Sequence, residues 1–462
     1  MFFNSYEFLL GFFPVVCLVY FLLAKYPRAG TWWLVAASFV FYAKYRVSDV
    51  AVLAASILWN YLVSLAIFRL HRRRLYLILG IAVNLLVLGI FKYRESFASA
   101  LGANRPQLGS FFHGLQFPLG ISFFTFSQIA YLVDVYRRID KPSPVRDYAL
   151  FVTFFPHLLS GPILRHRVMF PQFESPRRRR IVPRYFARGL ALIVIGLAKK
   201  ILIADPLAPM VARTFDSIGA LDPGTAWLGT FAYTFQLYND FSGYCDIAAG
   251  IAFLLNIRIP ENFRAPYGSA SIQEFWRRWH VSLGRFLRDY IYIPLGGNRA
   301  GLSRQCGAIL VTFTLGGLWH GAGWTFLLWG ALHGTALAIN VLWKRIGIGM
   351  PRILGWALTF SFVHLAWVVF RAPDLEALAR VLRALMAGLG PIPRLTGQML
   401  SQMDTGTTAL IAAILIAAMP GYSFVMAKRM QPNLWTASLA GILLTVVVLR
   451  FSSVTYFLYY FF

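Results

Sequence analysis

The chain of 462 residues is 58% hydrophobic, 16% aromatic and only 13% charged, with a mean hydropathy of +0.60. That excludes a soluble enzyme wrapped around a large core and reads as a membrane protein. The formal charge of +26, from 44 Lys+Arg against 18 Asp+Glu, would suggest nucleic acid in a soluble chain. Here the basic residues lie in short loops between apolar windows, as positive-inside topology requires, so no nucleic-acid partner is expected.

Apolar windows long enough to cross about 30 Å of hydrocarbon recur at 8–24, 50–68, 75–91, 117–135, 186–203, 324–343, 353–370, 407–427 and 434–449. Less clean windows lie near 32–43, 226–257 and 306–320. Together they predict an all-α, polytopic fold of roughly ten to twelve spanning or partly inserted helices. The first window has no small-residue cleavage site after it and reads as a retained helix. Over the first 147 residues, the loops 25–31, 69–74 and 136–147 carry ten Lys/Arg, and the intervening loops 44–49 and 92–116 carry five. This places the N-terminus outside and RLHRRR (69–74) in the cytoplasm. Cys17, Cys245 and Cys306 stand far apart with no CxxC or Cys/His spacing, so neither a metal site nor a disulfide framework is expected.

No polar stretch is long enough for an independent soluble core, and the chain reads as one integral-membrane domain with three textures. Residues 1–112 alternate plain helices with short loops; 113–344 mix apolar runs with Pro, Gly, His, Asp and Arg; 345–462 return to plainer helices. Within the middle region, DYALFVTFFPHLLSGPILRHRVMFPQF (147–173) carries Pro156, Gly161 and Pro162 in one apolar run, so its helix should break. A re-entrant hairpin here would keep Arg165, Arg167, Arg177–Arg180, Arg184 and Arg188 in the cytoplasm. Irregular backbone at membrane depth must be buried in protein or line a cavity, and a cavity is therefore expected. In YNDFSGYCDIAAGIAFLL (238–255), Asn239, Asp240 and Asp246 need partners, and the arginines downstream are the candidates. A buried Asp–Arg pair that fixes helices is at least as good a reading as catalysis.

The segment 262–299 is the least membrane-like of the interior. Ser271 with Glu274 three residues on forms a capping box for a helix through about Asp289. On that helix Trp276, Trp279, His280 and Leu283 fall at i, i+3, i+4 and i+7 and would face protein, with Arg277, Arg278, Arg285 and Arg288 largely elsewhere. Further on, LGGLWHGAGW (315–324) sets His320 among tryptophans and glycines. An intramembrane histidine marks a functional site or hydrogen-bonds a neighbouring helix. With no GxSxG or HExxH present, a histidine base activating a hydroxyl for attack on an ester or thioester is one reading. A transporter with a protonatable histidine, or a histidine satisfied in the core, fits the same residues.

The motifs add a resemblance. FPLGISFFTFSQIAYLVDVYRR (117–138), FFPHLLSGPILR (154–165), ENFRAPYGSASIQEFWRRWHVSLGRFLRDYIYIPLGGNR (261–299) and GGLWHGAGWTFLLWGALHG (316–334) resemble the signatures of the membrane-bound O-acyltransferase family. The likeness is to its branch of alginate O-acetylation and teichoic acid D-alanyl transfer proteins, which the opening MFFNSYEFLLGFFPVV and the ending YFLYYFF also suit. The resemblance implies many helices around a central funnel open to the cytoplasm, in a multi-pass protein of the bacterial inner membrane. It implies transfer of an acyl group, most simply acetyl, from a cytoplasmic donor to an exported polysaccharide such as alginate. The donor would be acetyl-CoA or an acyl-carrier thioester, with no bound cofactor. A periplasmic SGNH-type or related acetyltransferase and the polysaccharide export machinery would be its partners. D-alanyl or peptidoglycan O-acyl transfer, or an acyl channel without its own chemistry, are the alternatives.

Carried over residue by residue, the resemblance makes His320 the general base or acyl-transfer catalyst and His280 a group that positions the donor or assists proton transfer. Trp276, Arg277, Arg278, Trp279, Asn298 and Trp319 would bind substrate or donor. Arg277, Arg278, Arg285 and Arg288 could attract the donor's phosphates, or could serve only topology and lipid contact. Trp276, Trp279, Trp319 and Trp324 could line an acyl tunnel or pack helices. His333 reads first as packing, and His157 stays outside the catalytic set.

Overall fold

The computed structural model describes residues 1–102, 106–175, 180–299, 301–388, 405–418, 422–431, 433–450 and 457–458. Among these, helices and turns make up the fold, as the composition predicts. Five helices are long and apolar enough to cross a membrane: Glu7–Lys25, Val47–Arg69, Arg73–Lys92, Trp324–Ile346 and Arg352–Arg371. Three shorter apolar helices, Ile121–Tyr136, Thr405–Ala417 and Leu434–Leu449, accompany them. Arg177–Arg179 and most of the YFLYYFF ending lie outside the described residues. The chain divides into two compact units, Met1–Ile193 with Ile247–Pro260 and Val194–Asp246 with Glu261–Leu458.

In the first unit the helices are tied by polar side chains that apolar surroundings leave few other partners. Asn60 and Asn84 exchange amide hydrogen bonds at 2.6 and 3.1 Å between Val47–Arg69 and Arg73–Lys92. Gln128 on Ile121–Tyr136 donates to Ser56 Oγ and accepts from the Tyr148 hydroxyl. The proline-rich segment breaks where predicted. Helix Val145–Thr153 stops at Phe154, Phe155–Leu158 makes one further turn, and Ser160–Leu164 is buried without helix. Gly161 lies against the His157 backbone, where a Cβ would come within 2.3 Å of the His157 Cα. The His157 ring bonds the Phe151 carbonyl at 3.0 Å. It therefore secures a broken helix.

In the second unit the carboxylates find lysines instead of the arginines expected downstream. Lys199 Nζ donates to Asp246 Oδ2 at 2.8 Å and also to Ser242 and Ser423. Lys200 Nζ bridges Asp240 and Asp205, both at 2.8 Å. The reason is local. Lys199–Ala204 is a π-helical turn, and Gly243 lets it come close, since a Cβ there would sit 2.8 Å from the Gly196 carbonyl and 3.3 Å from Lys199 Cβ. Two adjacent lysines are thereby buried beside helix Pro223–Leu254 and need charged partners. These pairs hold helices, matching the structural alternative for Asp240 and Asp246.

Helix Leu302–His320 packs on Trp324–Ile346 through glycines. A Cβ on Gly317 would lie 2.2 Å from the Phe326 carbonyl and 3.1 Å from the Gly330 Cα, and one on Gly330 would lie 2.4 Å from the Phe313 carbonyl. Gly317 and Gly330 thus set backbone on backbone at this helix crossing. Gly307, on the same helix, has nothing within 4 Å of its Cβ position. Gly317→Ala should therefore destabilise the detergent-solubilised protein by about 1–3 kcal/mol through overpacking. Gly307→Ala should be neutral or stabilising by up to about 1 kcal/mol. Thermal unfolding of the two variants checks the contrast.

Candidate functional site

The expected helix through Asp289 is in fact broken at the site. Ser271 caps Ile272–Arg278 by accepting from the Glu274 N–H at 3.2 Å, as predicted, while the Glu274 carboxylate takes the Ala270 N–H in place of Ser271's own. The helix ends at Trp279, which is extended, and His280 adopts the left-handed conformation with φ 42° before Val281–Leu287 resumes. A π-helical turn, Arg288–Tyr292, follows. A helical repeat predicts faces but cannot register a single residue with positive φ. Such a residue costs free energy and persists only where its surroundings impose it.

Asn262 imposes it. Its carbonyl oxygen accepts the Val281 N–H at 3.0 Å, and its side-chain Oδ1 accepts the Ser282 N–H and hydroxyl, both at 3.0 Å. The same Oδ1 lies 3.3 Å from His280 Nδ1. Because the backbone N–H of Ser282 can only donate, Oδ1 is the acceptor here, and His280 meets it through Nδ1–H. Nε2 is then the nitrogen of His280 able to take a proton. Asn262 Nδ2 completes its own bonding on Cys245 Sγ at 3.4 Å.

Two of the sequence-predicted histidines are brought together across one indole. The Trp319 ring centroid is 6.5 Å from that of His280 and 4.8 Å from that of His320. His320 is the last residue of Leu302–His320, and its ring sits edge-on to Trp329 and Phe370, each at 5.2 Å. Phe241 stands edge-on to His280 at 4.8 Å. Both histidines are buried, with 0% and 3% exposure for His280 and His320. Aromatic rings surround both imidazoles and shield them from solvent.

Trp276 extends the cluster toward a cavity. Its indole N–H donates to His333 Nδ1 at 3.2 Å, which places the proton of a neutral His333 on Nε2. The Trp329 ring lies 4.7 Å from His333 and 5.2 Å from His320. On its other side Trp276 lines a cavity of about 530 Å³ with Arg277, Arg285, Arg288, Gln305 and Phe313. Trp279 is buried against Phe263, Phe275 and Trp367 at 5.0, 5.6 and 4.8 Å, a packing role. Arg278 is held by Glu274 and the Ala265 carbonyl, and Arg277 is exposed at a cavity wall. Asn298 and Trp324 are not brought to the histidines. Asn298 is exposed in the turn after Arg288–Tyr292, and Trp324 is 71% exposed at the start of its helix. Sequence reasoning missed Asn262, Trp329 and Phe370. Asn262 lies inside the quoted ENFRAPYG motif, while Trp329 and Phe370 carry no local signal beyond being aromatic in apolar helices.

Residues 74–372 match the family model of MBOAT, the membrane-bound O-acyltransferase family. The chain belongs to this family and is a bacterial membrane acyltransferase. It is 42% identical over 425 residues to a peptidoglycan O-acetyltransferase of Helicobacter pylori, covering 84% of this chain and 80% of that protein. It is 40% identical over 435 residues to a probable alginate O-acetylase AlgI of Pseudomonas aeruginosa, covering 91% and 81%. A teichoic acid D-alanyltransferase of Streptococcus thermophilus is 28% identical over 282 residues, covering 54% of this chain and 68% of that protein.

Asn262→Ala removes the side-chain acceptor that gathers Ser282 and His280. Acyl transfer should fall by about 10- to 100-fold, the scale expected when a reacting group shifts by an ångström. The comparison is of transfer rate per mole of membrane-inserted protein, against wild type and Asn262→Ser.

Proposed function

We propose that the protein transfers acetyl groups from a cytoplasmic thioester donor toward a hydroxyl of an exported polysaccharide, with His320 as the general base. The observation that carries this reading is the pairing of His280 and His320 across Trp319, inside a ring of aromatic side chains at the end of helix Leu302–His320. In the proposed step His320 takes the proton of the acceptor hydroxyl as its oxygen attacks the thioester carbonyl. The C–O bond forms, the C–S bond breaks, and the proton passes to the departing thiolate. His280, oriented by Asn262, assists that proton movement or positions the donor. Arg285 and Arg288, at the cavity that Trp276 lines, receive the phosphates of acetyl-CoA or of a phosphopantetheinyl carrier.

The acetyl assignment is supported by relatives at 40–42% identity whose names specify O-acetylation of peptidoglycan and alginate, against 28% for a D-alanyl transferase. The proposed acceptor is therefore a cell-envelope or exported polysaccharide, reached directly or through a periplasmic SGNH-type partner. The chain would enter the bilayer ten to twelve times, counting its broken helices, with the N-terminus outside and RLHRRR in the cytoplasm.

His320→Ala should abolish O-acetylation of the cell's polysaccharide at an unchanged level of inserted protein, and His280→Ala should reduce it by at least about 100-fold. Ester content released by mild alkali is the readout. Wild-type acetylation in the His320→Ala strain would overturn the assignment.

A further inference from the structure

Two cavities of the second unit adjoin one another and are lined by neither histidine of the pair. The larger, about 1200 Å³, is walled by Arg264, Arg277, Arg278 and Arg352, with Glu274 as the single carboxylate. The adjoining one, about 620 Å³, is walled mainly by apolar side chains such as Ile195, Leu202, Ile203, Ile416 and Leu443, with Lys199, already paired with Asp246, and Ser423 also in the wall. Both share Ala265, Tyr267, Ala417 and Tyr422. Neither His280 nor His320 lines either of them.

The first cavity has an uncompensated positive charge. Arg264 pairs with Glu261 and Arg278 with Glu274, whereas Arg277 and Arg352 have no carboxylate within 4 Å among the described residues. The sequence brings Arg352 there because Gly355 lets its helix rest on the Ala270 carbonyl, where a Cβ would come within 2.6 Å. One turn from Arg352, Trp356 is 44% exposed and donates its indole N–H to the Tyr267 carbonyl at 2.9 Å. Arginines beside a half-exposed tryptophan are what the headgroup layer of a membrane selects.

The second cavity lies at an apolar outer surface. Its wall residues Ile416 and Met426 are 38% and 50% exposed, and Ile442, next to Leu443, is 64% exposed on a helix without a charged residue between Leu434 and Leu449. The pantetheine arm of an acetyl donor carries amide groups that such an apolar wall would leave without hydrogen-bond partners, whereas a lipid chain needs none.

We propose that the two adjoining cavities together bind an anionic glycerophospholipid, its phosphate between Arg277 and Arg352 and one acyl chain among Ile195, Leu202, Ile416 and Leu443. The occupant is taken from the bilayer by charge and chain together, and the site is separate from the acyl-transfer centre. This goes beyond the transfer reaction and stands whichever polymer is acetylated.

The test uses purified full-length protein, stripped of lipid in a neutral detergent, and follows its thermal unfolding with added phosphatidylglycerol, phosphatidylcholine, inorganic phosphate or acetyl-CoA. Phosphatidylglycerol should raise the melting temperature by several degrees, as a ligand that binds only the folded state does. Phosphatidylcholine and phosphate should not. The shift should vanish in Arg277→Gln/Arg352→Gln and in Ala412→Trp, which fills the apolar cavity. Equal stabilisation by phosphatidylcholine would make the effect generic. Stabilisation by phosphate alone would reduce the site to an anion contact, and loss of the lipid effect on adding acetyl-CoA would make it the donor's site. Each of these wild-type results overturns the proposal whether or not the variants fold.

Discussion

Asn262 holds the chain at His280 in a conformation that an L-residue adopts only under constraint, and the rest of the site depends on that turn. Without it, Ile272–Arg278 would run on as one helix into Val281–Leu287. The carbonyl of Asn262 takes the Val281 N–H and its side chain the Ser282 N–H, so one residue satisfies two of the backbone groups freed by breaking the helix, while the Arg264 N–H donates to the Arg278 carbonyl. The bent chain buries Trp276, Trp279 and His280 together, although they leave the helix in different directions.

A second set of constraints brings the other histidine to meet the first. Gly317 and Gly330 bring two helix backbones into contact, and the second helix thereby delivers Trp329 and His333 to the end of the first, where His320 lies. Buried Lys–Asp pairs fix the π turn at Lys199–Ala204 to helix Pro223–Leu254, which supplies Phe241 against His280. These pairs are expensive to break, because removing one partner strands a charge in an apolar interior. They give the site rigidity without entering its chemistry.

Much of this was legible in the sequence. The all-α membrane class, the break at Pro156, the cap at Ser271 and the inward histidines follow from composition, proline chemistry and helical spacing. What was not legible depends on single backbone conformations and on contacts distant in sequence. A periodic pattern predicts that Trp276, Trp279 and His280 are buried, as they are, but puts them on one helix face and hides the left-handed residue between two short helices. Lys199 and Lys200 gave no sign that they, and not the arginines downstream, would meet Asp246 and Asp240, because a π turn decides it. Asn262 lay in a recognised motif with no chemical feature to distinguish it from a solvated asparagine. Asn298 and Trp324, chosen by motif position, lie exposed and away from the histidines.

The central claim is that His280 and His320 work as one site across Trp319. Its most direct test is a double-mutant cycle on acyl transfer, with labelled donor and sensitive enough detection to measure residual rates in His280→Ala, His320→Ala and the double variant. Groups acting as a unit are strongly non-additive. The account predicts that the double variant is no slower than about the slower of the two single variants. Losses that multiply would show two independent contributions and contradict it.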